Sequence, residues 1–161
     1  DATPTIAPMQ PVPPGQLSDW IGRETGISGW IEIDQARIDA FASCTEDFQF
    51  IHVDAQRARE QGGFAGTIAH GFLSLSLLSR FAIDAALPVK GANTSINYGF
   101  EKLRFLSPVS SGASIRGRFV LHDALERNTS QWLLSYDVTV EVKDQTKPAI
   151  VGRWLTLQVT N

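Results

Sequence analysis

The order of the periodic segments constrains this chain most, because one helical segment is followed only by strand patterns. The helical segment spans residues 68–86, with Thr67 as its expected N-cap and Pro88 just beyond its end. Its apolar residues fall on nearly every side, and small residues separate them. A helix that is apolar all round is typically a buried helix.

The strand patterns after this helix indicate an antiparallel sheet. They cover residues 93–100, 102–106, 113–123, 129–142 and 149–159, with turn signals between them. In the fourth pattern, apolar and mostly polar residues alternate from Trp132 to Val142, so one side faces a core. Helices followed by antiparallel strands predict an α+β fold in which the sheet curls around the helix.

Two aspartates before the long helix are placed to begin shorter ones. Asp34 precedes a segment with one apolar stripe, which predicts a helix over residues 35–43. Asp54 precedes a second short helix, predicted over residues 55–60. A short strand is predicted over residues 30–33.

Length and charge favour one domain without a broad surface for polyanions. The chain has 161 residues, and a domain has about 150. It carries 14 Lys and Arg against 17 Asp and Glu, a net charge of -3. Its apolar runs fall short of the roughly 20 residues that span a bilayer. We therefore expect neither nucleic acid nor membrane as a partner.

Cysteine content and the N-terminal segment set further expectations. Cys44 is the only cysteine, which excludes an internal disulfide and a cysteine-rich zinc site. No signal-peptide pattern precedes Trp20, so the expected compartment is the cytoplasm. Residues 1–15 hold five of the 8 prolines, which predicts a flexible, proline-rich arm followed by a single domain over residues 16–161.

A carboxylate and an imidazole lie close together between the two short helices. Asp47 and His52 are five residues apart among aromatic residues, a spacing that does not share one helical face. If an irregular turn brings them together, they can hold one water between a group that takes a proton and a group that returns one. Alternatively, Asp47 caps a turn and His52 is a core histidine.

The segment from Gly66 to Phe72 opens the long helix and offers a second candidate site. Unpaired amides at a helix start can bind developing negative charge, and Gly71 has no side chain to keep a substrate from the backbone. Alternatively, the glycines only permit close contact between helix and sheet.

Together, and in this order, these motifs resemble the MaoC-like dehydratases, a hot-dog fold family that includes (R)-specific enoyl-CoA hydratases. The resembling segments read EDFQFIHVD from Glu46 and GTIAHGF from Gly66, and residues 97–109 resemble the strand that follows the family's central helix. The resemblance extends from Leu17 to the C-terminus. In the N-terminal half it is strongest to the NodN-like branch.

The resemblance implies roles for individual residues. Asp47 and His52 match the catalytic dyad, and Gly71 matches the residue whose amide helps to bind the thioester oxygen. Supporting positions near the family's active site correspond to Gln49, His70 and Ser79.

Two departures from the family bear on substrate choice. Glu46 stands where glycine is common, and Gln49-Phe50 stands where the family has Asn-Pro or a similar pair. Gln49 keeps the amide function, whereas Phe50 lacks the fixed φ of proline, which is expected to reshape the acyl pocket.

The implied activity is reversible hydration of a trans-2-enoyl thioester to an (R)-3-hydroxyacyl thioester, carried on coenzyme A or an acyl-carrier protein. No metal and no cofactor is expected, because the thioester itself acidifies the α-position. A homodimer is expected, as in the family. Two alternatives stay open: a hot-dog thioesterase, and a dimer that binds acyl thioesters without turnover.

Overall fold

Within the part of the chain that the structure describes, the sheet is antiparallel and has six strands. The computed structural model describes residues 9–160. The strands are β1 (Glu24–Ile27), β2 (Ile31–Glu32), β3 (Ala92–Phe105), β4 (Ser114–Asn128), β5 (Gln131–Val142) and β6 (Ile150–Thr160). They are ordered β1-β4-β5-β6-β3, with β2 also paired to β4.

Helices precede the long strands, as the sequence predicts for an α+β fold. A 3-10 helix covers Pro14–Trp20, and the α-helices are α1 (Gln35–Thr45), α2 (Phe50–Val53), α3 (Ala55–Glu60), α4 (Gly71–Ser76) and α5 (Leu78–Ala85). The predicted caps of α1 and α3 are confirmed, because Asp34 accepts from the Arg37 amide and Asp54 from the Arg57 amide. The 3-10 helix, β1 and α2 have no counterpart among the predicted elements.

The alternation in β5 places its apolar side chains in the core. Leu134, Tyr136, Val138 and Val140 are buried, whereas Asp137 between them is exposed. This strand lies between β4 and β6, so both of its edges are paired. The predicted antiparallel sheet with one buried face is confirmed.

Helices α4 and α5, which together replace the predicted long helix, pack on this face of the sheet through Leu73, Leu78, Phe81 and Ala85, which are all buried. A Cβ atom at Gly117 of β4 would lie 2.9 Å from the Phe81 Cβ atom, so glycine lets α5 approach β4 closely.

The helix starts later than predicted. Residues 67–70 are extended, because the Ile68 amide donates to the Ile51 carbonyl and the Ala69 amide to the Val109 carbonyl. His70, and not Thr67, is therefore the N-cap residue. The helix is also interrupted at Leu77, between α4 and α5.

The two strand patterns over residues 93–106 form a single strand, β3. Lys102 has a left-handed φ of 54°, and the register with β6 shifts between Glu101 and Arg104. This bulge explains why the periodicity breaks there. Within the described residues β3 pairs only with β6, so its other edge is open.

Part of the proline-rich arm is fixed against the domain. Residues 1–8 of the arm lie outside the described residues. Val12 is buried, its amide donates to the Pro88 carbonyl, and its carbonyl accepts from the Lys90 amide. Among residues 9–160, no helix has the length and apolar character needed to cross a membrane.

Candidate active site

The loop after α1 brings Asp47 next to α2. Glu46 ends α1 in the left-handed conformation, with φ of 61°, which turns the chain sharply. One Asp47 carboxylate oxygen then accepts from the Gln49 amide at 3.3 Å, just before α2 begins at Phe50. His52 lies on this single turn of helix, so the two groups that are five residues apart converge.

His52 is a buried base whose tautomer is set by its backbone partner. Its Nδ1 atom lies 2.7 Å from the Ile68 carbonyl oxygen. Because a carbonyl only accepts, Nδ1 carries a hydrogen, and in the neutral ring Nε2 keeps its lone pair. Burial lowers the pKa of His52 below its ordinary value and His70 lowers it further, against the opposing effects of the Ile68 carbonyl and Asp47.

His70 joins the His52 ring to the Asp47 loop. The two imidazoles stack with centroids 3.8 Å apart, and both are buried. The His70 Nε2 atom donates to the Asp47 carbonyl oxygen at 3.0 Å and lies 4.0 Å from the Asp47 carboxylate. His70 therefore holds the aspartate loop beside His52.

The geometry of these three residues suits proton transfer better than metal binding. One ligand atom from each of Asp47, His52 and His70 lies within 4.8 Å of the others. The two histidine rings stack 3.8 Å apart with planes only 24° from parallel, so their in-plane nitrogen lone pairs lie in two separate, nearly parallel planes. Ligands of a tetrahedral or octahedral ion must instead point at one centre.

A mostly apolar cavity of about 330 Å³ adjoins His52. Its walls come from the α2 turn, the extended segment before α4, α4 itself, the end of β3 and the start of β6. Its lining residues include His52, Gly71, Ser74, Phe105, Val109 and Ile150. An apolar cavity with few polar groups suits an acyl group that carries one reactive polar centre.

Gly71 allows β3 to approach the start of α4. A Cβ atom at this position would lie 2.9 Å from the Phe105 ring. The close helix–sheet contact left open by the sequence is therefore present. The Gly71 amide precedes the first backbone bond of α4, from the Leu73 amide to the His70 carbonyl.

Gln35 and Thr67 brace the site, a role that the sequence pattern does not predict. The Gln35 side-chain amide donates to the His52 carbonyl oxygen at 2.8 Å and accepts from the Thr67 hydroxyl at 2.5 Å. Together they tie α1, α2 and the segment before Gly71. Nothing in the sequence pattern marks Gln35, because a glutamine early in a helix is ordinarily a surface residue.

Two of the predicted supporting residues do not bring their side chains to this cluster. Gln49 is exposed at the start of α2, and its side chain makes no hydrogen bond within the described residues. Ser79 lines another cavity, beside Phe72, Phe100 and Trp154, rather than the one that His52 lines.

Comparisons with known proteins place this architecture among related chains. Residues 16–144 match the family described as MaoC like domain. The chain is 43% identical to nodulation protein N of Rhizobium meliloti over 153 residues, 95% of each protein. It is 40% identical to 3-hydroxyacyl-thioester dehydratase Z of Mycobacterium tuberculosis over 131 residues, 81% of this chain and 85% of the relative.

A solved structure gives the same result for the fold. The (R)-hydratase from A. caviae involved in PHA biosynthesis superimposes with a TM-score of 0.68 at 25% identity, covering 84% of this chain and 94% of the hydratase. The predicted hot-dog fold is confirmed.

Proposed function

The chain belongs to the MaoC-like domain family, and we propose that it reversibly hydrates trans-2-enoyl thioesters to (R)-3-hydroxyacyl thioesters. The observation that carries this proposal is the environment of His52. This residue is a buried imidazole with its Nδ1 hydrogen held by the Ile68 carbonyl, at the wall of an apolar cavity and beside Asp47. The named activities of the Mycobacterium tuberculosis and A. caviae proteins support it.

In the hydration direction, Asp47 and His52 hold one water. Its oxygen bonds to the β-carbon while a proton passes to His52 Nε2, and Asp47 accepts a hydrogen bond from the remaining hydrogen. The electrons of the double bond move to the thioester oxygen as an enolate. Protonated His52 then returns the proton to the α-carbon, so the protein regains its starting charge.

The enolate oxygen binds at the Gly71 amide, a fixed dipole aimed at developing negative charge. The reaction needs no metal or cofactor, because the thioester supplies the acidity of the α-position. Since both groups act from one face of the double bond, addition is syn, and the similarity to the A. caviae (R)-hydratase supports an (R) product.

The functional unit is a homodimer joined through β3. This edge strand has 14 residues and exposes Ile96, Tyr98, Phe100 and Phe105. An open, apolar edge of this length is a template for pairing with another strand. Light scattering at micromolar concentration tests it: a dimer is expected, and a monomer of 17.6 kDa would reject it.

The experiment that tests the activity follows the enoyl absorbance of crotonyl-CoA and of longer enoyl-CoAs. We expect the absorbance to fall and chiral analysis to find the (R) product. Release of free thiol would show a thioesterase instead. Binding of the thioesters with neither change would show an acyl-binding dimer.

A further inference from the structure

Ser74 is a buried polar residue of the cavity that the proposed reaction leaves unused. It lies on α4, is 2% exposed, and lines the same cavity as His52 and Gly71. Its hydroxyl has no hydrogen-bond partner within residues 9–160. A buried hydroxyl without a partner destabilises a fold, so a function is the better explanation for its presence.

Neighbouring hydroxyls show that partners were available to a serine here. Ser107 lines the same cavity, and its hydroxyl donates to the Pro148 carbonyl at 2.8 Å. Ser76 lies two residues beyond Ser74, and its hydroxyl donates to the Leu73 carbonyl at 2.7 Å. Ser74 differs from both, because no group among residues 9–160 pairs with its hydroxyl.

The position of Ser74 on the helix says where its hydroxyl acts. Side chains on a helix lean towards its N-terminus, over the residue three positions earlier. For Ser74 that residue is Gly71, whose amide faces the thioester oxygen in the proposed reaction. Most of the remaining cavity wall is apolar, including Ile68, Val109 and Ile150.

We propose that the Ser74 hydroxyl donates a hydrogen bond to the thioester carbonyl oxygen of the bound substrate. The bond shortens and strengthens as the oxygen gains charge in the enolate, because hydrogen bonds to charged acceptors are the stronger ones. Ser74 thus adds a side-chain donor to the Gly71 amide. This inference rests on the proposed hydratase function.

Kinetics and stability of Ser74→Ala test the contact together. We expect kcat for crotonyl-CoA to fall about 10²-fold, as for loss of one donor to a developing oxyanion. The melting temperature should stay the same or rise, because the fold loses no hydrogen bond. Ser76→Ala is the matched control: it removes a hydroxyl that the helix uses, and kcat should stay near wild type. An unchanged kcat in Ser74→Ala, or a loss that parallels a fall in melting temperature, overturns the proposal.

Binding of butyryl-CoA separates this contact from the hydratase function, because a saturated thioester binds without reacting. We expect Ser74→Ala to raise its Kd about tenfold. If wild type hydrates no enoyl-CoA but this Kd still depends on Ser74, the hydratase function fails and the contact stands. If wild type hydrates crotonyl-CoA and Ser74→Ala matches it in kcat and Kd, only the contact fails.

Discussion

His52 and His70 are stacked neighbours that use opposite ring nitrogens. Both are buried, and each donates one ring hydrogen to a backbone carbonyl: His52 from Nδ1 to Ile68, His70 from Nε2 to Asp47. The second nitrogen of His70 is buried without a partner in the described residues, whereas His52 lines the cavity. Burial and residue type are therefore alike in the two residues. We therefore propose that orientation alone distinguishes a reactive His52 from a positioning His70.

The largest effect is expected from replacing the two proposed proton-transfer residues, Asp47 and His52. Asp47→Asn and His52→Gln should each lower turnover of crotonyl-CoA by about 10²–10⁴, because each removes one proton-transfer partner. The measurement is the initial rate of loss of enoyl absorbance. His122→Gln is the matched control, since His122 lies on the far strand β4 and is exposed, beside Asp137. It should keep full activity.

The double variant shows whether Asp47 and His52 act on the same water. Groups that act as a unit are strongly non-additive, so the double variant should lose little more than the worse single variant. Losses that multiply would assign them to separate steps. A near-wild-type rate in either single variant would make that residue structural.

A smaller effect is expected from replacing His70, the proposed positioning residue. His70→Phe keeps an aromatic ring against His52 but loses the hydrogen bond to the Asp47 carbonyl. We expect kcat to fall about tenfold, the value of one net hydrogen bond, with KM nearly unchanged. A loss as large as that of His52→Gln would mean that His70 takes part in the chemistry. No loss would mean that the Asp47 loop does not need this bond.

The sequence predicts the fold better than it predicts the local structure around the candidate site. Alternation in β5 and the caps Asp34 and Asp54 are local patterns, and local patterns are visible in a sequence. The start of α4 depends on distant partners, Ile51 and Val109, which take the amides that would have opened the helix earlier.

The same reason explains which site residues escape prediction. Asp47 and His52 stand out as polar groups among aromatics, and the family resemblance adds to that signal. Gln35 acts through a carbonyl 17 residues away, and Ser74 is distinguished only by a partner that it lacks. Neither property has a sequence pattern.

The smallest effect is on the pH dependence of stability. The pKa of His52 is lowered by burial and by His70, so below about pH 6.5 the unfolded chain binds a proton at this residue more readily than the folded chain. Stability from this residue is thus present above about pH 6.5 and is lost as the pH falls towards the lowered pKa. Denaturant unfolding between pH 5 and pH 8 should show a steeper acid loss in wild type than in His52→Gln. Equal slopes would contradict the lowered pKa.

Nitrogen NMR of histidine-labelled protein tests the central contrast most directly. At about pH 8 an ordinary imidazole is neutral, and the shifts of its two nitrogens report which one carries the hydrogen. Signals are assigned with His52→Gln, His70→Phe and His122→Gln. We expect opposite tautomers, with the hydrogen of His52 on Nδ1 and that of His70 on Nε2. A hydrogen on Nε2 of His52 would leave no lone pair there for the water, and would contradict the account.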